Sequence, residues 1–123
     1  MNVKKFYEDI GGNYNSAISI MMNDALIERM LAKFMNDNAY NDIIAAYNNN
    51  DLERVFVLVH TIKGVTGNLA LTPLYELACI ITEATRNNPN ADIKEEIKKL
   101  EEAYSLVASC YQNNAWKSWL TLI

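Results

Sequence analysis

The sequence predicts an all-α protein, an antiparallel up-and-down four-helix bundle with short additional helical segments at its N-terminus. Apolar residues recur every three or four positions over most of the chain, as on the buried face of a helix. The two prolines and four glycines fall in a few places and leave segments of helical length between them. Because short connections force neighbouring helices to run in opposite directions, an up-and-down bundle is the expected arrangement.

With 123 residues, half of them apolar, the chain is long enough for one domain with one core. We expect a single domain over residues 1–123, with helical segments over about 1–22, a bundle core over 24–112 and an apolar C-terminal tail over 113–123. The tail is expected to pack on the bundle, and the alternatives are self-association or contact with a membrane surface. Its large apolar residues are Trp116, Trp119, Leu120, Leu122 and Ile123.

The N-terminal half is predicted to contain two short helices and one long one. The first runs from about Val3 to Asp9 and stops at Gly11 and Gly12, and the second spans about Asn15 to Met22. With Asp24 as its N-cap, a single helix is expected to reach Tyr47, since neither proline nor glycine interrupts it. The polar residues Asn36, Asp37 and Asn38 make its middle weak.

The C-terminal half is predicted to contain three helices. Asp51 caps a helix that reaches about Asn68. Thr72 and Pro73 are typical of an N-cap followed by proline at the first helical position, and that helix ends near Asn87. The last helix starts near Ala91 and carries an apolar stripe. The stripe consists of Ile93, Ile97, Leu100, Tyr104, Val107 and Tyr111.

Charge and composition exclude several classes of protein. The net charge of −4 and the pI near 4.9 argue against a nucleic-acid binder, so proteins are the expected partners. Cys79 and Cys110 lack CxxC spacing and are interpreted as small core residues in a reducing compartment. Because Lys4 and Lys5 are followed by acidic residues rather than an apolar signal core, and no apolar run is long enough for a membrane span, we expect a soluble, cytoplasmic protein.

The sole histidine, His60, lies in the predicted helix that begins after Asp51. On a helical wheel of that segment, His60 falls nearly opposite a broad apolar arc, so we expect it to be exposed rather than a core histidine. The arc contains Leu52, Val55, Leu58, Val59, Ile62, Val65, Thr66 and Leu69. The side of the wheel around His60 contains Glu53, Phe56, Lys63, Gly64 and Gly67.

Several neighbours of His60 favour a reactive surface. Gly64 and Gly67 each cost a helix interior about 1 kcal/mol relative to alanine, which is explained if they leave the imidazole uncovered, or alternatively if they admit a neighbouring helix. Lys63, three residues on, places a positive charge where phosphoryl oxygens would lie, although it could also be an ordinary solvated charge. Phe56 and Val57 are expected to be at least half exposed and to form a docking surface.

The missing motifs narrow the reaction class. The chain has no Walker-type loop, no Gly-x-Gly-x-x-Gly and no second histidine, so use of ATP or zinc by the chain itself is not expected. An exposed imidazole, with a reference pKa of about 6.5, can accept a phosphoryl group from an activated donor that brings its own machinery. The sequence does not identify a carboxylate that would orient the ring.

The segment His60-Thr61-Ile62-Lys63-Gly64, followed by Asn68-Leu69, resembles the His-x-x-Lys-Gly signature of histidine phosphotransfer (HPt) domains. Four further features stand in the order usual for that family, so the resemblance covers nearly the whole chain. They are Gly11-Gly12, Phe34, the segment Leu74 to Ala78, and the segment Ala84 to Arg86.

The resemblance implies a four-helix bundle in which His60 is the phosphoacceptor at Nε2, Lys63 stabilises the phosphoryl charge and Gly64 gives the partner access. Such domains take the phosphoryl group from the aspartate of one receiver domain, including those of hybrid histidine kinases, and pass it reversibly to another receiver in a two-component phosphorelay. The chain would then be a monomeric phosphoprotein without a catalytic domain or cofactor of its own, and Mg²⁺ would belong to the receiver. Two positions depart from the family pattern: Ala70 stands where glycine is frequent, and Thr82 where some members place a glutamine facing the histidine.

Two other interpretations stay open at this stage. A non-phosphorylated adaptor would dock receivers or kinases with the same face, but the intact His60, Lys63 and Gly64 count against it. A chemotaxis-kinase-like phosphoacceptor domain, fed directly by an ATP-dependent kinase domain, usually belongs to a much longer chain.

Overall fold

The structure is a computed structural model that describes the backbone of residues 1–122 and the side chains of residues 1–114. Over this part of the chain every regular element is an α-helix, which confirms the predicted all-α class. The helices are α1 (Val3–Ile10), α2 (Tyr14–Met21), α3 (Asp24–Asn36), α4 (Ala39–Asn48), α5 (Leu52–Asn68), α6 (Thr72–Thr85) and α7 (Lys94–Leu122).

Helix α1 ends at the glycine pair Gly11-Gly12, and α2 begins shortly after it. Gly11 takes a left-handed φ of 70°, which glycine adopts without a steric penalty, and the N–H of Gly12 donates to the Tyr7 carbonyl at 2.9 Å. Asn13 then caps α2 by accepting from the Ser16 N–H at 3.0 Å. Both short helices are therefore confirmed, with bounds within one residue of those predicted.

The prediction of one long helix from Asp24 to Tyr47 is wrong. The chain leaves the helix at Asp37, whose ψ is 147°, and the Asp37 carboxylate accepts from the Ala39 N–H at 2.8 Å. A short polar side chain that bonds the local backbone competes with continued helix, so α3 and α4 are separate. Asn23, not Asp24, is the N-cap of α3, and its side-chain oxygen accepts from the Leu26 N–H at 2.8 Å.

The helices around the histidine follow the prediction more closely. Asp51 caps α5 by accepting from the Arg54 N–H at 3.1 Å. Thr72 is not the N-cap of α6, as predicted, because Leu71 occupies that position and Thr72 is already helical. The Thr72 hydroxyl instead donates to the Ala70 carbonyl at 3.4 Å, across the turn that joins α5 to α6.

One core contains side chains from all seven helices, and α5 is central to it through its contacts with α4 and α6. Val55, Val59 and Ile62 of α5 are buried, as the wheel predicts, but Val65 is 37% exposed and its assignment to the buried arc is wrong. Val65 instead faces a shallow apolar groove between α3 and α5 that Met30 and Phe34 also line. The six residues of the predicted stripe, from Ile93 to Tyr111, are all buried or half-buried, although α7 starts at Lys94 rather than near Ala91 and Ile93 lies just before it.

The N-terminal helices hold the end of α5 in place. The buried Tyr7 hydroxyl donates to the Leu69 carbonyl at 2.6 Å, and the Asn13 N–H donates to the Ala70 carbonyl at 3.1 Å. Gly12 lies so close that an added Cβ would be 2.9 Å from the Ala70 carbonyl oxygen. This close approach explains the second glycine of the pair and fixes α2 beside α5.

The C-terminal predictions are tested only in part. The backbone of α7 is helical to Leu122, whereas the packing predicted for Trp116, Trp119 and the other apolar tail residues falls outside the described side chains. In the described part of the chain, no helix is apolar over a sufficient length to cross a membrane. Cys79 and Cys110 are both half-buried free thiols.

Candidate functional site

The site is built on the middle of α5. Val59 and Ile62, on either side of His60 in sequence, are buried in the core and fix the rotation of the helix about its axis. His60 is consequently exposed on the outer face, as the wheel predicts. The imidazole is therefore accessible to another molecule.

Phe56, one turn before His60, lies against the histidine ring. The two ring centroids are 5.8 Å apart and the ring planes differ by 19°, which is a stacked arrangement. The other neighbour of Phe56 is Arg86 at the end of α6, whose guanidinium carbon is 5.2 Å from the Phe56 centroid. This contact leaves Phe56 half-buried, while Val57 beside it is 60% exposed.

Lys63 lies on the same face of α5, one turn after His60. Its side chain is half-buried, and no carboxylate among residues 1–114 forms an ion pair with it. An ammonium group without a fixed carboxylate partner can serve an incoming anion. The structure thus places a cation and a nucleophilic ring on one open face, as the sequence predicts.

The two mid-helix glycines differ in their surroundings. A Cβ added to Gly64 would meet no heavy atom within 4 Å, so the backbone there is open to a partner. A Cβ added to Gly67 would lie 3.0 and 3.1 Å from two carbon atoms of the Tyr75 ring. Gly67 therefore admits Tyr75 of α6, and for this glycine the helix-packing interpretation accounts for the residue.

A groove of about 640 Å³ runs from His60 along α5 to α2. Its floor is formed by α5 residues that include Lys63 and Gly64, and Tyr75 forms part of one wall. The contribution of α2, through Asn13, Ser16 and Ile20, was missed by sequence reasoning. The sequence did contain a signal, because the segment Tyr14–Met21 carries no charged residue. In the structure this helix buries only Ala17 and leaves Ile20 52% exposed.

Thr82 on α6 is fully buried, and its hydroxyl oxygen has no hydrogen-bond partner among the residues whose side chains are described. Other buried threonines bond the carbonyl one turn back, as Thr66 does with Ile62 at 2.8 Å and Thr85 with Ile81 at 2.8 Å. Thr82 therefore makes no hydrogen bond to the histidine ring in this structure. A role for Thr82 in supporting the phosphohistidine or in docking, in place of the glutamine of some family members, stays a prediction.

The described part of the chain offers no metal centre beside this site. Its acidic, histidine and cysteine side chains form no group of three or more that could hold a metal ion. What the site offers is an exposed nucleophilic imidazole, a neighbouring ammonium group and uncovered backbone.

The described part of the chain is all-helical and presents one exposed histidine with Lys63 and Gly64 on a helix face. The model of the Hpt domain family matches residues 24–110, well over half of the chain. The chain belongs to the Hpt domain family. Comparison with curated proteins and with solved structures gave no match.

Family membership indicates a part in a phosphorelay. Hpt domains are phosphotransfer modules that lack a catalytic domain, and they typically interact with receiver domains. The matched range extends from the start of α3 into α7 and includes the whole of α5 and α6.

Proposed function

We propose that the protein carries a phosphoryl group on His60 between the aspartates of two receiver domains. The observation that carries this proposal is the exposure of the His60 ring on a face where Lys63 has no carboxylate partner among residues 1–114 and Gly64 is open. A ring sealed in the core could not meet the phosphoaspartate of another protein. The protein is proposed to act as a monomer.

The transfer exchanges one bond to phosphorus for another. A lone pair of the imidazole forms an N–P bond while the O–P bond of the receiver's acyl phosphate breaks, and the aspartate carboxylate leaves with the electron pair. The ring releases its N–H proton to solvent, and the reverse reaction delivers the phosphoryl group to a second receiver. Mg²⁺ is assigned to the receiver, and no cofactor is assigned to this chain.

Lys63 and Gly64 are given separate tasks in this reaction. The ammonium group of Lys63 stabilises the negative charge of the phosphoryl oxygens. Gly64 lets the backbone of the receiver approach within van der Waals distance of α5. Val57 and Ile20, both more than half exposed, supply apolar contact to the receiver, and Ile20 lines the same groove as the histidine.

The bundle arrangement is part of the proposal. We take α4, α5, α6 and α7 as an antiparallel up-and-down set, with α3 extending the first helix past the break at Asp37. Contacts between α4 and α5, between α5 and α6 and between α6 and α7 support this order. Because α5 and α6 pack against each other and are joined only by residues 69–71, α6 is taken to run antiparallel to α5.

The experiment is phosphotransfer from phosphorylated receivers of the source organism. Wild-type protein should become labelled, His60→Gln should not, and label on His60→Gln would refute the assignment of the site. Lys63→Ala should fold normally and transfer about ten- to a hundredfold more slowly, as expected for loss of one charged contact to the reacting group. Lys99→Ala, which removes an exposed lysine of α7, is the matched control and should transfer normally. Wild-type protein that binds receivers but never becomes labelled would establish the adaptor instead.

A further inference from the structure

The His60 ring contacts the rest of the described chain through its face, by stacking on Phe56, and not through hydrogen bonds of its edge nitrogens. The ring planes of His60 and Phe56 are within 19° of parallel, with 5.8 Å between the centroids. Histidine rotates easily about its outer side-chain bond, so an exposed ring needs a contact to fix its plane. None of the side-chain hydrogen bonds formed within residues 1–114 involves the His60 ring, and the buried Thr82 hydroxyl has no partner there.

Phe56 is in turn held from the neighbouring helix. The Arg86 guanidinium lies over the Phe56 ring at 5.2 Å, and its NH2 group donates to the Glu83 carboxylate at 3.2 Å. A cation over an aromatic face attracts the ring electrostatically, and the carboxylate restrains the cation. A continuous row of contacts therefore runs from α6 to the reactive side chain, through Glu83, Arg86, Phe56 and His60.

We infer that Phe56 is a positioning residue for His60, and that Arg86 clamps Phe56 in place. This inference rests on the proposed phosphotransfer function. Both imidazole nitrogens lie at the edge of the ring, so a contact on the face leaves both free, one to form the N–P bond and the other to release its proton. A hydrogen bond from the chain would occupy one of them.

The first test observes the ring directly and needs no phosphotransfer. Because His60 is the sole histidine, its two carbon-bound ring protons can be assigned in an NMR spectrum without ambiguity. Phe56→Leu, which removes the aromatic ring but keeps an apolar side chain, should move these protons downfield through loss of ring-current shielding. Phe56→Tyr should leave them near their wild-type positions, and Arg86→Gln should shift them in the direction of Phe56→Leu.

The second test measures reactivity with phosphoramidate, a small donor that needs no docking surface. His60 forms a new N–P bond, the P–N bond of phosphoramidate breaks, and ammonia leaves while the ring releases its proton. Phe56→Leu should slow this labelling about two- to tenfold, the factor for freeing the rotamers of one side chain. Phe56→Tyr should keep the wild-type rate. The matched control is Leu58→Val, at a half-buried position on another side of α5, which should change neither the rate nor the ring protons.

Three results would overturn the inference. They are unchanged His60 ring protons in Phe56→Leu, an equal loss of rate in Leu58→Val, and a loss of rate with receivers but not with phosphoramidate, which would make Phe56 a docking residue. Failure of the proposed function looks different. In that case wild-type protein exchanges phosphoryl groups with no receiver, while the NMR comparison of Phe56→Leu with Phe56→Tyr still decides whether Phe56 positions the ring.

Discussion

Replacing Gly64 by alanine should stabilise the protein, because the structure gives this glycine no packing role. Glycine within a helix costs about 0.5–1 kcal/mol relative to alanine, and the added Cβ would meet no heavy atom within 4 Å. The free energy of unfolding should therefore rise by about 0.5–1 kcal/mol. Urea denaturation followed by circular dichroism measures this change, and thermal melting should show an increase of roughly 2–6 °C.

A bulky residue at position 64 should impair phosphotransfer from a receiver, in contrast to the gain in stability expected from alanine. Gly64→Leu keeps a good helix former but places a bulky side chain where the receiver's backbone must approach, so transfer from a receiver should slow while labelling by phosphoramidate persists. Gly67→Ala is the matched comparison: its Cβ would press on the Tyr75 ring at 3.0 Å, and it should gain less stability than Gly64→Ala. Destabilisation by Gly64→Ala, or a normal rate of receiver transfer in Gly64→Leu, would show that the reasoning about open backbone is wrong.

Three further substitutions test the surroundings of the site. Ala70 has a φ of 50°, so Ala70→Gly should raise the free energy of unfolding by about 0.5–1 kcal/mol in urea titrations, and a loss would mean that the left-handed conformation carries no strain. Tyr7→Phe leaves the buried Leu69 carbonyl without its donor and should lower stability by about 1–3 kcal/mol. Burial raises the pKa of Tyr7, so the wild-type protein should lose stability as the pH rises through about 10, and a pH series on Tyr7→Phe should not show that component. Thr82→Val replaces a buried hydroxyl without a partner by a methyl group and should add about 1 kcal/mol, whereas destabilisation would reveal a hydrogen bond of that hydroxyl in solution.

The exposure of His60 followed from the sequence because helical periodicity alone determines which side of an amphipathic helix faces the core. Val59 and Ile62 belong to a strong apolar arc, and the histidine between them must point away. The same wheel fails at Val65, since a residue at the margin of the arc is buried only if a neighbouring helix covers it. In this fold the groove between α3 and α5 stays open there.

Contacts between helices could not be predicted from the pattern. The Arg86 guanidinium, at the end of α6, lies over the Phe56 ring of α5. Tyr75 of α6 likewise fills the space beside Gly67 of α5. Which residues face each other depends on the relative shift of α5 and α6, and periodicity within one helix carries no information on that shift. The break at Asp37 is a different kind of error, because a side-chain hydrogen bond to the local backbone outweighed an uninterrupted helical pattern.

The hydrogen bond from Tyr7 to Leu69 has a consequence for how the protein folds during synthesis on the ribosome. The two residues are 62 positions apart, so at a synthesis rate of about 5–20 residues per second the hydroxyl waits about 3–12 s for its acceptor to be made. During that interval the apolar side of α1 has no finished core to join. Closure of this long loop is therefore expected late in folding, after local pairing of α5 with α6.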